Sequence, residues 1–600
     1  MPIPQNKQWL GVYPGKYAGD IYQSFNIDLE KEQGRLRLGD KFRILTDGDD
    51  AAAPGLPYKF LRTNADATDR HWALTSTKML KTAGTNPFVA YAADGLSSSP
   101  TDALDMETHE SANGEQRLVV ARDADLAILN KSGTANAWTA SWWQSTLSQS
   151  ALATGKHHPL ARLQRLLTIG DVVSQVGAIH TIDKNDTVSA SRLTFPAGYE
   201  PRVTIVTSNR YWFGLQNIFG GPGMIAEWDG FSLSYNQEHY LLGSFPLTGF
   251  VARNTPYFID EAGYIYEYQG YGFEPIRQFP MVEEGLVFSS LIASTNTIQP
   301  YGATVDRHLA YINVGAPTTS RRMRSGIWCF NTKNKNLYHT RGIGQHKTAN
   351  TDVDYGQTPL FRPGAVKFIF DGANAINDLL IGGGVYINYS STTKTVIGQT
   401  ISNKNRSSNT GRNRGYFVTP YIPTEHVNAL WNGLWMKWKK FVDSGNRIVI
   451  KWRVIEPLKD TDENDESVLQ ATGTWASTTT FTCVVPTGVA VGDEVEVMSG
   501  DNAGCSFNIS TLSATPDGST TITVTISEAA PTSSTNGGLF RFDNWKTETA
   551  ISATDIANKH TPFSANGQGE FVQYKIELRG LGMEIDEIEP TSKSNTKSNI

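Results

Sequence analysis

The sequence is short of cysteine, of long apolar runs and of charge of either sign, and each shortage excludes a class of protein. Cys329, Cys483 and Cys505 are its 3 cysteines in 600 residues. An odd, sparse set is no disulfide framework; Cys483 and Cys505 share a candidate domain, but two small buried hydrophobes are preferred to a bridge. No arrangement of Cys and His has the spacing of a structural zinc site, so no metal is expected. The longest apolar stretches, near 378–388 and 484–492, fall far short of the roughly twenty residues of a helical span. The polar, proline-interrupted opening is no secretory leader, so a soluble protein made without export is expected. The balance of 53 basic and 59 acidic residues gives -6, with only a local basic cluster at Lys437, Lys439 and Lys440. A tight sequence-reading nucleic-acid binder needs a concentrated basic surface; a mildly acidic one suits DNA that passes without sticking. Phosphate-loop, dinucleotide, HExxH and GxSxG motifs are all absent, so no cofactor is expected.

What is present points to strands. Hydrophobic residues make up 39% and aromatics 10% of the chain, ample for buried cores. Glycine and proline cluster between short apolar runs, the distribution of many strands joined by turns. From about 75 to 400 one grammar recurs: apolar strand, loop, aromatic-rich strand, polar turn. Its clearest instance is Gly249–Ala252, Tyr257–Asp260, then Glu261-Ala262-Gly263 and Tyr264–Tyr268, a hairpin signal. Other units centre on Phe88–Tyr91, Leu118–Leu129, Leu166–Ile182, Val203–Trp228, Leu309–Tyr338 and Val366–Asn388. Short two-faced sheets cannot bury both faces alone; arranged radially they can. The expectation is an all-β chain with a β-propeller of about seven short blades, a C-terminal β-rich region and an inserted small β-sandwich or barrel. Two stacked sandwiches are the alternative. Leu160–Leu167 departs from the pattern and reads as a helical turn or two, with His157 and His158 before it as plain surface.

The expected organisation is an extended N-terminal arm with first strands over 1–60, a propeller over 61–413, a closing β-region over 414–460 and 546–590, an inserted β-domain over 461–545 and a flexible tail over 591–600. The insertion follows from similar alternation in 447–454 and 571–580, which would pair, and from the acidic linker Asp460, Asp462, Glu463, Asp465 and Glu466 that precedes the module. Gly382-Gly383-Gly384 reads as a close backbone approach in a sheet.

Propellers often carry glycosidases, which need two carboxylates about 5–10 Å apart beside aromatic platforms. The candidates are Glu227, Asp229 and Asp260, with Trp212 and Trp228 as stacking surfaces. These acids stand at turn positions where geometry alone wants them, so no catalytic residue is assigned and sugar binding without cleavage is the alternative. Tyr240, Tyr257, Tyr264, Tyr266, Tyr268, Tyr271 and Phe273 read mainly as packing between sheets. Trp9, Tyr13, Tyr17, Trp435, Trp438 and Tyr574 are the interface candidates.

The stretches "GYFVTPYI" (415–422), "NGLWMKWKKF" (432–441) with "GNRIVIKWRVIEP" (445–457), and "GEFVQYKIELRGLGMEIDEIEP" (569–590) resemble the closing part of propeller-bearing tail proteins of tailed bacteriophages. "TPYFIDEAGYIYEYQG" (255–270) resembles a blade of the same proteins, and "SFNIDLEKEQGRLRLGDKFRI" (24–44) their start. The likeness covers most of 20–460 and 569–590 but not the module at 470–545, and lies in the order of features. It implies a non-enzymatic virion subunit, assembled in the host cytoplasm. In short-tailed members, copies form a nozzle ring at the distal end of the tail, around the channel through which DNA leaves. The implied partners are copies of itself, neighbouring tail or adaptor proteins, and fibres or spikes. The alternatives are a glycan-binding or glycan-cleaving host-recognition protein, and another virion part such as a tail-tip, baseplate or capsid-decorating component.

Overall fold

The computed structural model describes the chain between Gly11 and Lys593, apart from short breaks and the longer stretches 13–19, 47–55, 91–104, 289–297, 342–361, 402–412 and 456–468; every statement below concerns the described residues. Seven four-stranded sheets are arranged as the blades of a β-propeller. Blades one to six are each a consecutive antiparallel meander: Pro57–Ala90, Asp105–Thr139, Leu160–Ala197, Tyr199–Tyr240, Pro246–Gln278 and Ala303–Arg341. Each innermost strand packs on the innermost strand of the next blade, and that of blade seven, Arg362–Asp371, returns to Pro57–Thr63 of blade one. The ring is closed.

Local chemistry accounts for the blades. In blade five the Asp260 carboxylate accepts the Tyr264 amide at 2.9 Å while Gly263 takes φ +88° and donates to the Asp260 carbonyl at 3.1 Å, turning one strand into the next. Between blades lie dry apolar layers. One example joins Trp72, Leu74 and Met79 of blade one to Met106, Leu118 and Val120 of blade two. Each sheet thereby hides both faces on its neighbours.

Blade seven is built differently. Three of its strands come from Arg362–Asp371, Ile376–Tyr386 and Thr393–Ile401, and the fourth is Lys41–Thr46 from the N-terminal region, with Ile401 opposite Lys41 and Gly398 opposite Ile44. The N-terminal region is therefore no simple extended arm: Lys41–Thr46 and Pro57–Thr63 both belong to the propeller. Blades seven and one meet closely, since a Cβ on Gly382 would stand 2.6 Å from the Pro57 side chain. Asn313 of blade six donates to the carbonyls of Gly364 and Gly382, each at 2.9 Å.

Leu160–Leu167 is a correction. It forms two strands, Leu160–Leu163 and one starting at Leu166, joined by a two-residue turn in which Gln164 has φ +56°. His157 and His158 are also not surface residues; both are buried. His158 fills a niche of backbone carbonyls, with Nδ1 2.9 Å from Gly170 O and Nε2 2.9 Å from Asp123 O.

After the propeller come two sheets with a shared apolar core. One orders Gln23–Phe25, Asn413–Val418, Phe571–Gly580, Arg447–Ile455 and Lys546–Thr547; the other orders Ile27–Asp28, Leu36–Leu38, Glu584–Lys593, Leu430–Trp438 and Asn558–Gln568. Phe571–Gly580 pairs with Arg447–Ile455 along its whole length. N-terminal strands occur in both sheets. Between Arg447–Ile455 and Lys546–Thr547 the chain forms a closed barrel of six strands from Leu469 to Asp543. Its own core contains Trp475, Phe481, Phe507, Phe540 and Phe542, with Phe481 and Phe540 stacked at 4.0 Å.

His339 fastens the N-terminal segment to blade six. Its Nδ1 accepts the Asn26 amide and its Nε2 faces the Ser325 carbonyl, both at 2.9 Å, and its ring stacks on Phe25 at 4.9 Å. Burial, with Arg324 and Arg341 nearby, lowers its pKa to about 3. The neutral form is the one that fits, so this contribution is complete above the unfolded pKa near 6.5 and is lost as pH falls toward 3. Acidification from pH 6.5 to 5 is expected to cost on the order of 2 kcal/mol through this group. Urea unfolding at both pH values, with His339→Asn as the non-titrating control, checks it; equal pH dependence in the two proteins rejects it.

Candidate functional site

No helix among the described residues is long and apolar enough to cross a membrane, and no group of three or more His, Cys, Asp or Glu there is placed to hold a metal ion. Cys329 and Cys483 are buried and form no disulfide, and burial pushes the Cys483 thiol up to about 12. Cys505 lies outside the described residues.

The sugar-site candidates occupy structural positions. Trp212 and Trp228 are 3% and 0% exposed, so neither ring offers a face for stacking. The Trp212 indole donates to Thr207 Oγ1 at 3.2 Å, and the Trp228 indole to the Ser232 carbonyl at 2.9 Å. Glu227 is buried against Arg210, with Oε1 2.7 Å from Nε. Asp229 accepts the Phe231 and Ser232 amides at 2.7 and 2.8 Å, an Asx turn. Asp260 accepts Gly243 N at 2.9 Å and the Tyr266 hydroxyl at 2.8 Å besides Tyr264 N, and is fully buried. The stacking role of Trp212 and Trp228 is thus corrected, since both rings are core; Asp229 and Asp260 stand at turns as expected, whereas Glu227 lies within the strand Met224–Trp228.

The interface candidates divide. Trp438 and Tyr574 are buried in the apolar core of the closing sheets and present no surface, which corrects that assignment. Trp435 is half-buried. Trp9, Tyr13 and Tyr17 lie outside the described residues. In the tyrosine group, Tyr257, Tyr266 and Phe273 pack between sheets, whereas Tyr240 and Tyr271 are exposed.

Two features were not foreseen. The first is a concentration of exposed large apolar side chains on blades three to five: Val173, Ile218, Phe219, Phe231, Leu233, Tyr240, Leu242 and Tyr271. Phe231 and Leu233 share the turn between the third and fourth strands of blade four, and Tyr271 lies at the same turn of blade five. Both turns fall at one end of their blades. Phe219 and Leu242 fall at the other end, where a Cβ on Gly198 would collide with the Phe219 ring at 2.3 Å. Isolated exposed hydrophobics are unremarkable; here they gather at the two opposite ends of blades three to five.

The second is a buried ionic junction between the barrel, the closing sheet and blade six. In the barrel strand Glu494–Val497 the valines face the barrel core, while the glutamates are buried on the opposite side. Lys451 Nζ lies 2.5 Å from Glu494 and 3.0 Å from Glu577, and Lys575 Nζ is 2.6 Å from Glu494. Glu496 pairs with Arg541 of the barrel and, at 3.2 Å, with Arg324, which also donates to the Tyr416 hydroxyl at 3.2 Å. Burial alone would raise the Glu496 pKa, but Arg324 and Arg541 outweigh it and hold the carboxyl below its usual range. The alternation Glu-Val-Glu-Val was legible, but not that another ionic face would cover its polar side.

With this architecture the chain is a seven-bladed β-propeller protein carrying a two-sheet extension and a barrel. No family description matches the sequence, and no curated protein matches it. Among solved structures it is similar to BBS1N in complex with ARL6DN, at 12% identity over 62% of this chain and 99% of that one, with a TM-score of 0.36. It is also similar to the β-propeller domain of Cps50 (Swd1) from Myceliophteria thermophila, at 9% identity over 60% of this chain and 99% of that one, TM-score 0.35.

Proposed function

We propose that this protein is a structural, non-enzymatic subunit of a bacteriophage tail, which forms with copies of itself a nozzle-like ring at the distal part of the DNA exit channel and a platform for fibres or spikes. The observation that carries the reading is the set of exposed apolar side chains at the ends of blades three to five, on a chain whose later blades share one apolar core with the closing sheets, which in turn hold the barrel through a buried ionic junction. A rigid, pre-organised body loses little entropy on joining a ring, and a ring of identical subunits needs a heterologous contact that closes by rotation. The sequence resemblance supplies the tail context, and the small net charge of -6 suits passage of DNA without adhesion. Localisation in the virion tail, after assembly in the host cytoplasm, belongs to the same reading.

The expected result is a closed ring in electron micrographs of the protein co-assembled with neighbouring tail proteins. Phe231→Asp with Leu233→Asp should lower ring yield at least tenfold while leaving the circular dichroism of the subunit unchanged. A protein that stays monomeric beside every tail neighbour, or rings indifferent to the double substitution, overturns the reading. Glycan binding is the second reading. It is favoured by exposed Tyr240, whose hydroxyl lies 3.1 Å from Glu238, and a glycan array separates it from a scaffold.

A further inference from the structure

The innermost strands of blades one and two bring a lysine and an aspartate together away from water. Lys59 stands on Pro57–Thr63 and Asp105 opens Asp105–Glu110. Both are buried, Asp105 completely, and Lys59 Nζ lies 2.8 Å from Asp105 Oδ1. As an ion pair this adds little stability, because desolvation of the two charges offsets most of their attraction.

The surroundings supply more than an ion pair needs. Asp105 Oδ2 accepts the Leu160 amide at 2.6 Å and the Tyr301 hydroxyl, while Oδ1 also accepts the Met106 amide at 2.6 Å. Two donors aimed at Oδ2 polarise the carboxyl carbon in the manner of an oxyanion hole. Glu107 has Oε1 held by the Thr108 amide at 2.8 Å and turns Oε2 toward Lys59 Nζ at 3.5 Å. The Tyr301 ring covers the nitrogen at 4.1 Å.

Burial pushes the Asp105 carboxyl above its ordinary range, against the pull of Lys59 and of the hydrogen-bond donors. Burial also opposes the Lys59 ammonium, which Asp105 and Glu107 nevertheless hold above the ordinary lysine range. Passing one proton from Nζ to Oδ1 discharges both partners, and neutral groups tolerate a dry site better than ions do. The barrel junction lacks this possibility. There Glu494 is shared by Lys451 and Lys575, and Glu577 by Lys451 and Arg579, so two cations favour each anion. Asp105 pairs with one cation among the described residues.

We propose that Lys59 and Asp105 are joined by an isopeptide bond, formed spontaneously in the folded chain with Glu107 as proton carrier. Lys59 passes a proton to Asp105 Oδ1, and the neutral amine attacks the side-chain carboxyl carbon, Cγ. The Nζ–Cγ bond forms while negative charge gathers on Oδ2, facing the Leu160 amide and the Tyr301 hydroxyl. Glu107 takes the surplus proton from Nζ and delivers it to Oδ1. The Cγ–Oδ1 bond then breaks, one water leaves, and the Glu107 carboxylate is restored. No oxidant or further reactant is required. Two packed strands supply the effective concentration that drives amide formation, and one neutral amide replaces two buried charges. The bond ties blade two to blade one, against which blade seven closes the ring of blades. It lies within one chain and is independent of how subunits associate.

Mass spectrometry of the full-length protein in denaturant tests it. The intact mass is expected to fall one water short of the sequence mass, and a tryptic digest should yield the Lys59 and Asp105 segments as a single branched peptide. Lys59→Arg should abolish that peptide and restore the water. Glu107→Gln, which alters only the proton carrier, should keep the circular dichroism of the parent and lower the linked fraction by at least about tenfold. The second variant keeps the test valid if the first folds poorly. A full sequence mass with no branched peptide, a deficit that persists in Lys59→Arg, or an undiminished linked fraction in Glu107→Gln overturns the proposal.

Discussion

Deletion of residues 1–46 is expected to abolish cooperative folding of the whole propeller, although it removes no complete blade. The reason is where those residues go. Lys41–Thr46 supplies the fourth strand of blade seven, and a ladder of this length contributes on the order of 5 kcal/mol at about 1 kcal/mol per hydrogen bond. Farther upstream, Ile21, Phe25, Ile27, Leu29, Leu36 and Leu38 are buried in contact with blade six and the closing sheets. At about 2 kcal/mol each, their loss alone approaches the 5–15 kcal/mol that separates an ordinary native state from its unfolded ensemble. The truncated chain should show a broad melt or none, and rapid proteolysis within 362–401. A sharp melt at the full-length temperature would show that the ring closes without its N-terminal strand.

Lys451→Met is expected to destabilise the junction between barrel and closing sheet by about 3–5 kcal/mol, the usual cost of removing one partner from a buried ionic set. Glu494 and Glu577, both buried, lose the ammonium between them, while Lys575 still pairs with Glu494 and Arg579 with Glu577 at 3.0 Å. The barrel should stay folded, because its apolar core is separate. The effect should therefore appear as undocking: faster hydrogen exchange across 494–497 and a lower first transition in urea, with the later transition unchanged. Combining Lys451→Met with Lys575→Met and Glu494→Gln, which leaves Glu577 paired with Arg579, should recover much of the loss, since a desolvated network is strongly destabilised when broken but adds little net stability when whole. A change below about 1 kcal/mol would mean that water screens the junction.

The blades were legible because their signals are local. Tyr257–Asp260 and Tyr264–Tyr268 carry their own turn between them, and alternation within ten residues is enough to place such a hairpin. Leu160–Leu167 misled for an equally local reason: leucines at 160, 163, 166 and 167 satisfy helical spacing, while the turn uses Gln164 at φ +56° and no glycine or asparagine to announce it. Asp260 was legible as a turn residue, but Trp212 and Trp228 misled because an aromatic beside an acid reads alike whether it lines a cleft or fills the layer between two blades. Only the neighbouring sheet settles it.

By itself, the sequence determined an all-β chain of about seven repeated sheets followed by a distinct small β-module, because turn chemistry and two-residue periodicity act over a few residues and need no distant partner. The tertiary structure alone decided that Lys41–Thr46 completes blade seven, that the glutamates of 494–497 are buried, and that Lys59, Asp105 and Tyr301 meet across three blades. Those outcomes depend on contacts between residues tens to hundreds of positions apart, and a contact at that separation leaves no periodic trace in either segment.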